Sequence, residues 1–282
     1  MTTPGTGRLL DKGETFASLC SEVDLDVRLR KAVARLGYVR PTLVQTQCLT
    51  LAINSGQDLL IRAWTGSGKT LAYCLPVLNK ILKGKKESSS ADKGDVFVKA
   101  VILVPTRELC DQVHSMLRGL MYYCDELISV AVLGRTGKKD SSNRGLVASQ
   151  EAMLRDKPDV IISTPAGLLR YVKNGTLTLK NSVESLVVDE ADLVLSFGYA
   201  KDVSEITKAL PKIFQGFLMS ATLTPDVDSL RKVVLHSPAI LKLEEDEDAG
   251  KRERRKLLQF YLSVPKTDKQ LVLYVFLKVS RF

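Results

Sequence analysis

Short apolar runs recur along the chain, separated for the most part by longer stretches whose apolar residues keep helical spacing. The runs fall at 58–61, 100–104, 128–133, 160–162, 186–188 and 217–219. Such lengths suit buried strands, and strands alternating with helices predict an α/β fold with a mostly parallel sheet, since parallel neighbours need a crossover that a helix supplies. Two helices are expected before the first run. In one, Leu25, Val27, Leu29, Val33 and Leu36 recur mostly at helical spacing and Gly37 is the stop; Pro41 opens the other, over 42–55, which Gly56 closes. A parallel sheet also dictates where to look for chemistry, because ligands bind beyond the carboxyl ends of its strands.

After the first run comes Ala63-Trp64-Thr65-Gly66-Ser67-Gly68-Lys69-Thr70. Gly66 and Gly68 let backbone N–H groups approach phosphate oxygens, Lys69 adds a point charge, and Thr70 offers a hydroxyl to magnesium. A helix starting at Thr70 would aim its N-terminal dipole at the same phosphates. The strict phosphate-loop pattern begins with Gly, where this chain has Ala63. After the fifth run, Leu186-Val187-Val188 leads into Asp189-Glu190-Ala191-Asp192, three carboxylates at the end of a buried strand. Like charges there are costly unless a cation or solvent compensates. In a phosphate-loop NTPase the cation is Mg²⁺, held by Thr70 and Asp189, and Glu190 is placed to orient or deprotonate the attacking water. An acidic helix cap is the alternative reading of the carboxylates alone.

With these features in order, the chain resembles the DEAD-box family of RNA helicases from about Phe16 onward. Residues 37–45, Gly-Tyr-Val-Arg-Pro-Thr-Leu-Val-Gln, resemble the Q motif; 63–70 resemble motif I, where Ala in first place is the family's usual choice. Pro105-Thr106-Arg107-Glu108-Leu109 is similar to motif Ia, Thr164-Pro165 to the start of motif Ib, Asp189-Glu190-Ala191-Asp192 to motif II and Ser220-Ala221-Thr222 to motif III. The resemblance implies a RecA-like P-loop NTPase domain, a mostly parallel β-sheet flanked by helices on both faces. It implies ATP and Mg²⁺ as cofactors, Gln45 as adenine selector and Phe16 as the aromatic stacking on the base. Lys69, Asp189 and Glu190 become the catalytic set. Pro105, Thr106, Arg107 and Thr164 would touch the RNA backbone without reading bases. Ser220 and Thr222, with Asp192 hydrogen-bonded to them, would couple nucleotide state to RNA remodelling.

Two local departures stand out. Motif Ib usually continues Gly-Arg, but Ala166 and Gly167 follow Pro165, removing a cation that could meet phosphate. The expected glycine doublet after 128–133 reads Gly134-Arg135-Thr136-Gly137.

The resemblance divides the chain into a flexible N-terminus (1–15), a Q-motif region (16–45), the ATP-binding RecA-like domain (46–243), and a charged linker with the truncated start of a second RecA-like domain (244–282). The linker sets Glu244-Glu245-Asp246-Glu247-Asp248 beside Lys251-Arg252-Glu253-Arg254-Arg255-Lys256, read as a solvated surface loop. A further strand is expected at 257–264 and a helix at 267–279. The polar stretches 83–95 and 134–145 read as exposed loops. Motifs of a second domain, with its arginine finger, are not found, so the expectation is ATP binding with slow turnover for this chain alone. The alternative is a catalytically weak nucleotide- and RNA-binding module.

Residues 187–199, and above all Ser196-Phe197-Gly198-Tyr199, with 217–223, look like the nucleolar subfamily that assists large-ribosomal-subunit assembly. That implies RNA-stimulated ATP hydrolysis in rRNA processing, pre-ribosomal RNA and assembly factors as partners, action as a monomer, and a nuclear, nucleolar location. Composition agrees: 41 Lys plus Arg against 32 Asp plus Glu give a net charge of +9, which attracts polyanions. No run approaches the ~18 apolar residues of a membrane helix. Cys20, Cys48, Cys74, Cys110 and Cys124 form no C-x-x-C pair and read as reduced thiols.

Overall fold

The computed structural model describes residues 13–87, 98–133, 143–243 and 260–279; of 143–147 it describes only the backbone. Contacts divide the chain into two units, Met1–Leu243 and Glu244–Phe282. In the first, three helices, α1 (Phe16–Glu22), α2 (Val27–Arg35) and α3 (Leu43–Leu49), precede β1 (Leu59–Arg62). The helix expected over 42–55 is thus α3 continued by a π-helical turn, Thr50–Asn54. There follow α4 (Lys69–Glu87), β2 (Ala100–Leu103), α5 (Arg107–Leu120), β3 (Val130–Leu133), α6 (Asn143–Arg155), β4 (Val160–Ser163) and α7 (Pro165–Lys173). Then come β5 (Ser185–Val188), α8 (Ala191–Ser196), α9 (Ala200–Lys208), β6 (Gln215–Ser220), α10 (Pro225–Val234) and β7 (Ala239–Lys242).

The sheet runs β3-β4-β2-β5-β6-β1-β7, with every neighbouring pair parallel. Its inner strands are continuous apolar runs because both faces are covered. Successive side chains point to opposite faces, so Val187 and Phe217 pack with α1 to α5, while Leu186, Val188 and Leu218 pack with α7 to α10. The RecA-like arrangement of helices on both faces follows from that alternation.

Some expectations need correction or limits. Residues 83–87 belong to α4, and 143–145 to α6, rather than to loops; 88–95, 134–142 with the glycines expected there, and the charged run 244–256 lie outside the described residues. Strand β7 is an addition to the expected strands: it is a half-exposed edge strand whose three apolar residues are followed at once by Lys242. In the stretch 257–264, residues 260–264 are not in the sheet, and Phe260 and Tyr261 are 89% and 96% exposed. The helix expected over 267–279 is present as α11 (Lys269–Val279), with no buried residue. Among the described residues no helix is long and apolar enough to cross a membrane. All five cysteines are free and buried.

Candidate functional site

The order β5-β6-β1 brings three loops to one edge of the sheet: 63–68 after β1, 189–190 after β5 and 221–222 after β6. Ala63 N–H donates to the Ser220 carbonyl at 3.0 Å, tying the first loop to the third. Gly66 and Gly68 have φ of +87° and +89°, a region that side chains disfavour. Between them Ser67 is buried, its hydroxyl without a hydrogen-bond partner among the described residues. Lys69, the first residue of α4, is 5% exposed; its ammonium donates to the Ala63 carbonyl at 3.0 Å and stands 3.4 Å from the Glu190 carboxylate. A cradle of backbone amides, an unspent hydroxyl and a buried cation at the start of a long helix is equipped to take phosphate.

Across the cleft, Asp189 closes β5. One carboxylate oxygen accepts from the Glu190 N–H at 2.9 Å and the other from the Tyr73 hydroxyl at 3.0 Å. Burial, and secondarily the charge of Glu190, push its pKa up to about 6. Because this lies above the unfolded value, the contribution of Asp189 favours folding fully below about pH 4 and is lost as pH rises through 6. The chain is therefore expected to lose part of its stability across that window, a loss that Asp189→Asn should reduce. Melting temperatures of the chain and of Asp189→Asn at pH 4 and pH 7 check this, and a pH dependence that the substitution leaves unchanged would contradict it.

Glu190 caps α8 with φ +48°, a left-handed conformation rare outside glycine. The backbone there is fixed by the elements on either side rather than by the residue's own preference.

Gln45 is joined to the phosphate loop. Thr42 and Gln45 form a capping box at the start of α3: the Thr42 hydroxyl accepts from the Gln45 N–H, and Gln45 Oε1 accepts from the Thr42 N–H at 2.8 Å. Gln45 Nε2 then donates to the Gly68 carbonyl at 3.2 Å, and a Cβ on Gly68 would collide with that amide. A cavity of about 370 Å³ is lined by Tyr38, Gln45, Gly66, Lys69, Thr70, Asp189 and Glu190, with Thr65 at its wall. Trp64 belongs to the same loop, between Ala63 and Thr65. Phe16 is not brought to this cavity. It is 2% exposed in the core, its ring 6.2 Å from that of Tyr38, which does line it. Tyr38, with Gln112 and Met116 of α5, lines the same cavity without having been a candidate site residue; in the sequence Tyr38 stands out only as the aromatic of the Q-motif stretch, and the other two only as part of an ordinary helical face.

The remaining residues lie at neighbouring strand ends. Thr106 caps α5 after β2, its hydroxyl accepting from the Leu109 N–H at 3.3 Å, with Pro105 buried beside it and Arg107 exposed. Thr164 caps α7 after β4 in the same way, accepting from the Gly167 N–H. A Cβ at Gly167 would meet Ser163 Oγ at 2.8 Å and Thr164 Oγ1 at 3.0 Å, so the arginine of the family pattern would require those hydroxyls to turn away. The Thr222 hydroxyl donates to Asp192 at 3.1 Å, and the Ser220 hydroxyl accepts from the Thr222 N–H, linking the loops after β5 and β6.

Comparisons with known proteins extend over the same residues. A family model described as DEAD/DEAH box helicase matches residues 42–230. A relative from Dictyostelium discoideum, "Probable ATP-dependent RNA helicase ddx56", is 43% identical over 271 residues, covering 96% of this chain and 36% of its own length. "ATP-dependent RNA helicase DBP9" of Eremothecium gossypii is 38% identical, covering 99% of this chain and 45% of its own. The chain thus spans less than half the length of these curated relatives. The crystal structure of a DEAD box protein from Methanococcus jannaschii is similar with a TM-score of 0.66 at 27% identity, covering 93% of this chain and 64% of that one.

Proposed function

The chain belongs to the DEAD/DEAH box helicase family, and we propose from that premise that it binds ATP in the cleft between residues 63–70 and 189–190 and couples its hydrolysis to the remodelling of RNA. The observation that supports this reading most is the hydrogen bond from Gln45 to Gly68, which sets a side-chain amide against the loop that would cradle the phosphates.

In this reading Lys69 and the amides of 66–69 hold the β- and γ-phosphates. Thr70 and Asp189 would hold Mg²⁺: a hydroxyl and a buried carboxylate are hard oxygen donors, and Mg²⁺ takes few protein ligands beside substrate phosphates. Among the described residues no group of three or more His, Cys, Asp or Glu gathers, so nothing there competes as a many-ligand metal site. When bound, the ion supplies neutralisation of phosphate charge. Glu190 orients the attacking water and accepts its proton. RNA would lie along the carboxyl ends of β2 and β4, its phosphates near Pro105, Thr106, Arg107 and Thr164, where two helix N-termini offer free N–H groups. The Asp192–Thr222 contact, with Ser220, would relay nucleotide state to that strip.

The finer reading is a monomeric helicase acting on pre-ribosomal RNA with large-subunit assembly factors in the nucleolus. Its support is the resemblance of Ser196-Phe197-Gly198-Tyr199 to that subfamily, together with the similarity to the DBP9 relatives.

The test is nucleotide choice. Gln45→Ala is expected to cut discrimination between ATP and GTP by about tenfold, the worth of one or two hydrogen bonds, in a competition titration. Unchanged discrimination would contradict the adenine-reading role.

A further inference from the structure

We infer that Tyr73 is a positioning residue for the magnesium site, its hydroxyl holding the Asp189 carboxylate in the orientation that presents oxygen lone pairs to the cation. The inference rests on the function proposed above. Tyr73 is the fifth residue of α4, fully buried. Its hydroxyl donates to Asp189 at 3.0 Å, a contact between buried groups 116 positions apart in the sequence. The same hydroxyl and the Glu190 N–H hold the two carboxylate oxygens of Asp189, which fixes the carboxyl plane.

Packing does not require the oxygen. Tyr73 belongs to the core cluster with Cys74 and Leu75, where a phenyl ring would fill nearly the same space without desolvating a hydroxyl. Partners that orient metal ligands in this way commonly contribute ten- to a hundredfold to metal affinity.

The experiment compares the unsubstituted chain with Tyr73→Phe, using methylanthraniloyl-ADP as fluorescent probe titrated in EDTA and at a series of magnesium chloride concentrations. The expected result is an unchanged affinity in EDTA and a rise of about tenfold in the magnesium needed for half of its effect on probe binding. Leu75→Ala, which loosens the same helix through packing alone, should lower the melting temperature without moving the magnesium requirement. In an Asp189→Asn background, Tyr73→Phe should add little further, since it acts through that carboxylate. A magnesium requirement that stays within about twofold of the unsubstituted chain, where that chain shows a normal magnesium effect, overturns the inference alone. Absence of any magnesium effect in the unsubstituted chain overturns the proposed function and this inference together.

Discussion

Glu190→Gln is expected to slow ATP turnover by about 10²–10⁴-fold while leaving nucleotide affinity within about threefold, the signature of a group that acts on the reacting water and not on the bound phosphates. The side chain sits next to Asp189 at the end of β5 and faces Lys69 at 3.4 Å. Glutamine keeps the size and loses the basicity. It also releases Lys69 from an ion pair, so phosphate binding has no reason to weaken. The left-handed backbone at Glu190 costs roughly 1–3 kcal/mol in a non-glycine residue, and the surrounding strand and helix hold it there in either variant. Single-turnover hydrolysis, set beside an equilibrium titration, separates the two effects. Undiminished hydrolysis would remove Glu190 from its role; a parallel loss of affinity would make it a binding residue.

Phe217→Ala is expected to destabilise the first unit by about 3–5 kcal/mol, the range for deleting a buried aromatic ring. Phe217 is fully buried on β6, paired in register with Val187 of β5 on one side and Leu59 of β1 on the other. Those two strands carry Asp189 and the phosphate loop at their ends, so the cavity left by the ring lies beneath both halves of the site. Urea unfolding followed by circular dichroism measures the loss, with the midpoint falling and the slope unchanged. A change below about 1 kcal/mol would mean that the helices close over the gap.

Much of this arrangement was legible in the residues. Fully buried strands are apolar on both faces, so 100–104, 160–162 and 186–188 stand out as uninterrupted runs, whereas Ala239–Lys242 at the edge is half exposed and ends in lysine. The phosphate loop and the carboxylates could be read because their chemistry is local: the glycines, lysine and threonine lie within a few residues, as do Asp189 and Glu190. Contacts across the fold could not. Gln45 and Gly68 are brought together by the packing of α3 on α4, and Tyr73 reaches Asp189 over 116 positions of sequence. In the sequence Tyr73 is one more apolar-face residue of a helix. The case of Phe16 and Tyr38 has the same origin: two aromatics bracket α2, and only packing decides that Tyr38 lines the cavity while Phe16 lies in the core.

At the first local departure from the family pattern, Thr164 and Ser163 fold their hydroxyls against Gly167, and an arginine stem there would require them to turn. Arg170, one turn further along α7, instead stacks over Tyr171 and donates to Gln150 and the Tyr171 hydroxyl. In the proposed function, backbone N–H groups and Thr164 would carry the phosphate contact at this point.

The claim on which everything else depends is that the cleft is an adenine-nucleotide site built from Gln45 and residues 63–70. Calorimetric titration of this chain with ADP and GDP in the presence of magnesium tests it most directly. The account predicts saturable binding at one site, tighter for ADP by about tenfold or more, and lost on Lys69→Ala. Equal affinity for the two nucleotides, or binding that survives Lys69→Ala undiminished, would contradict it.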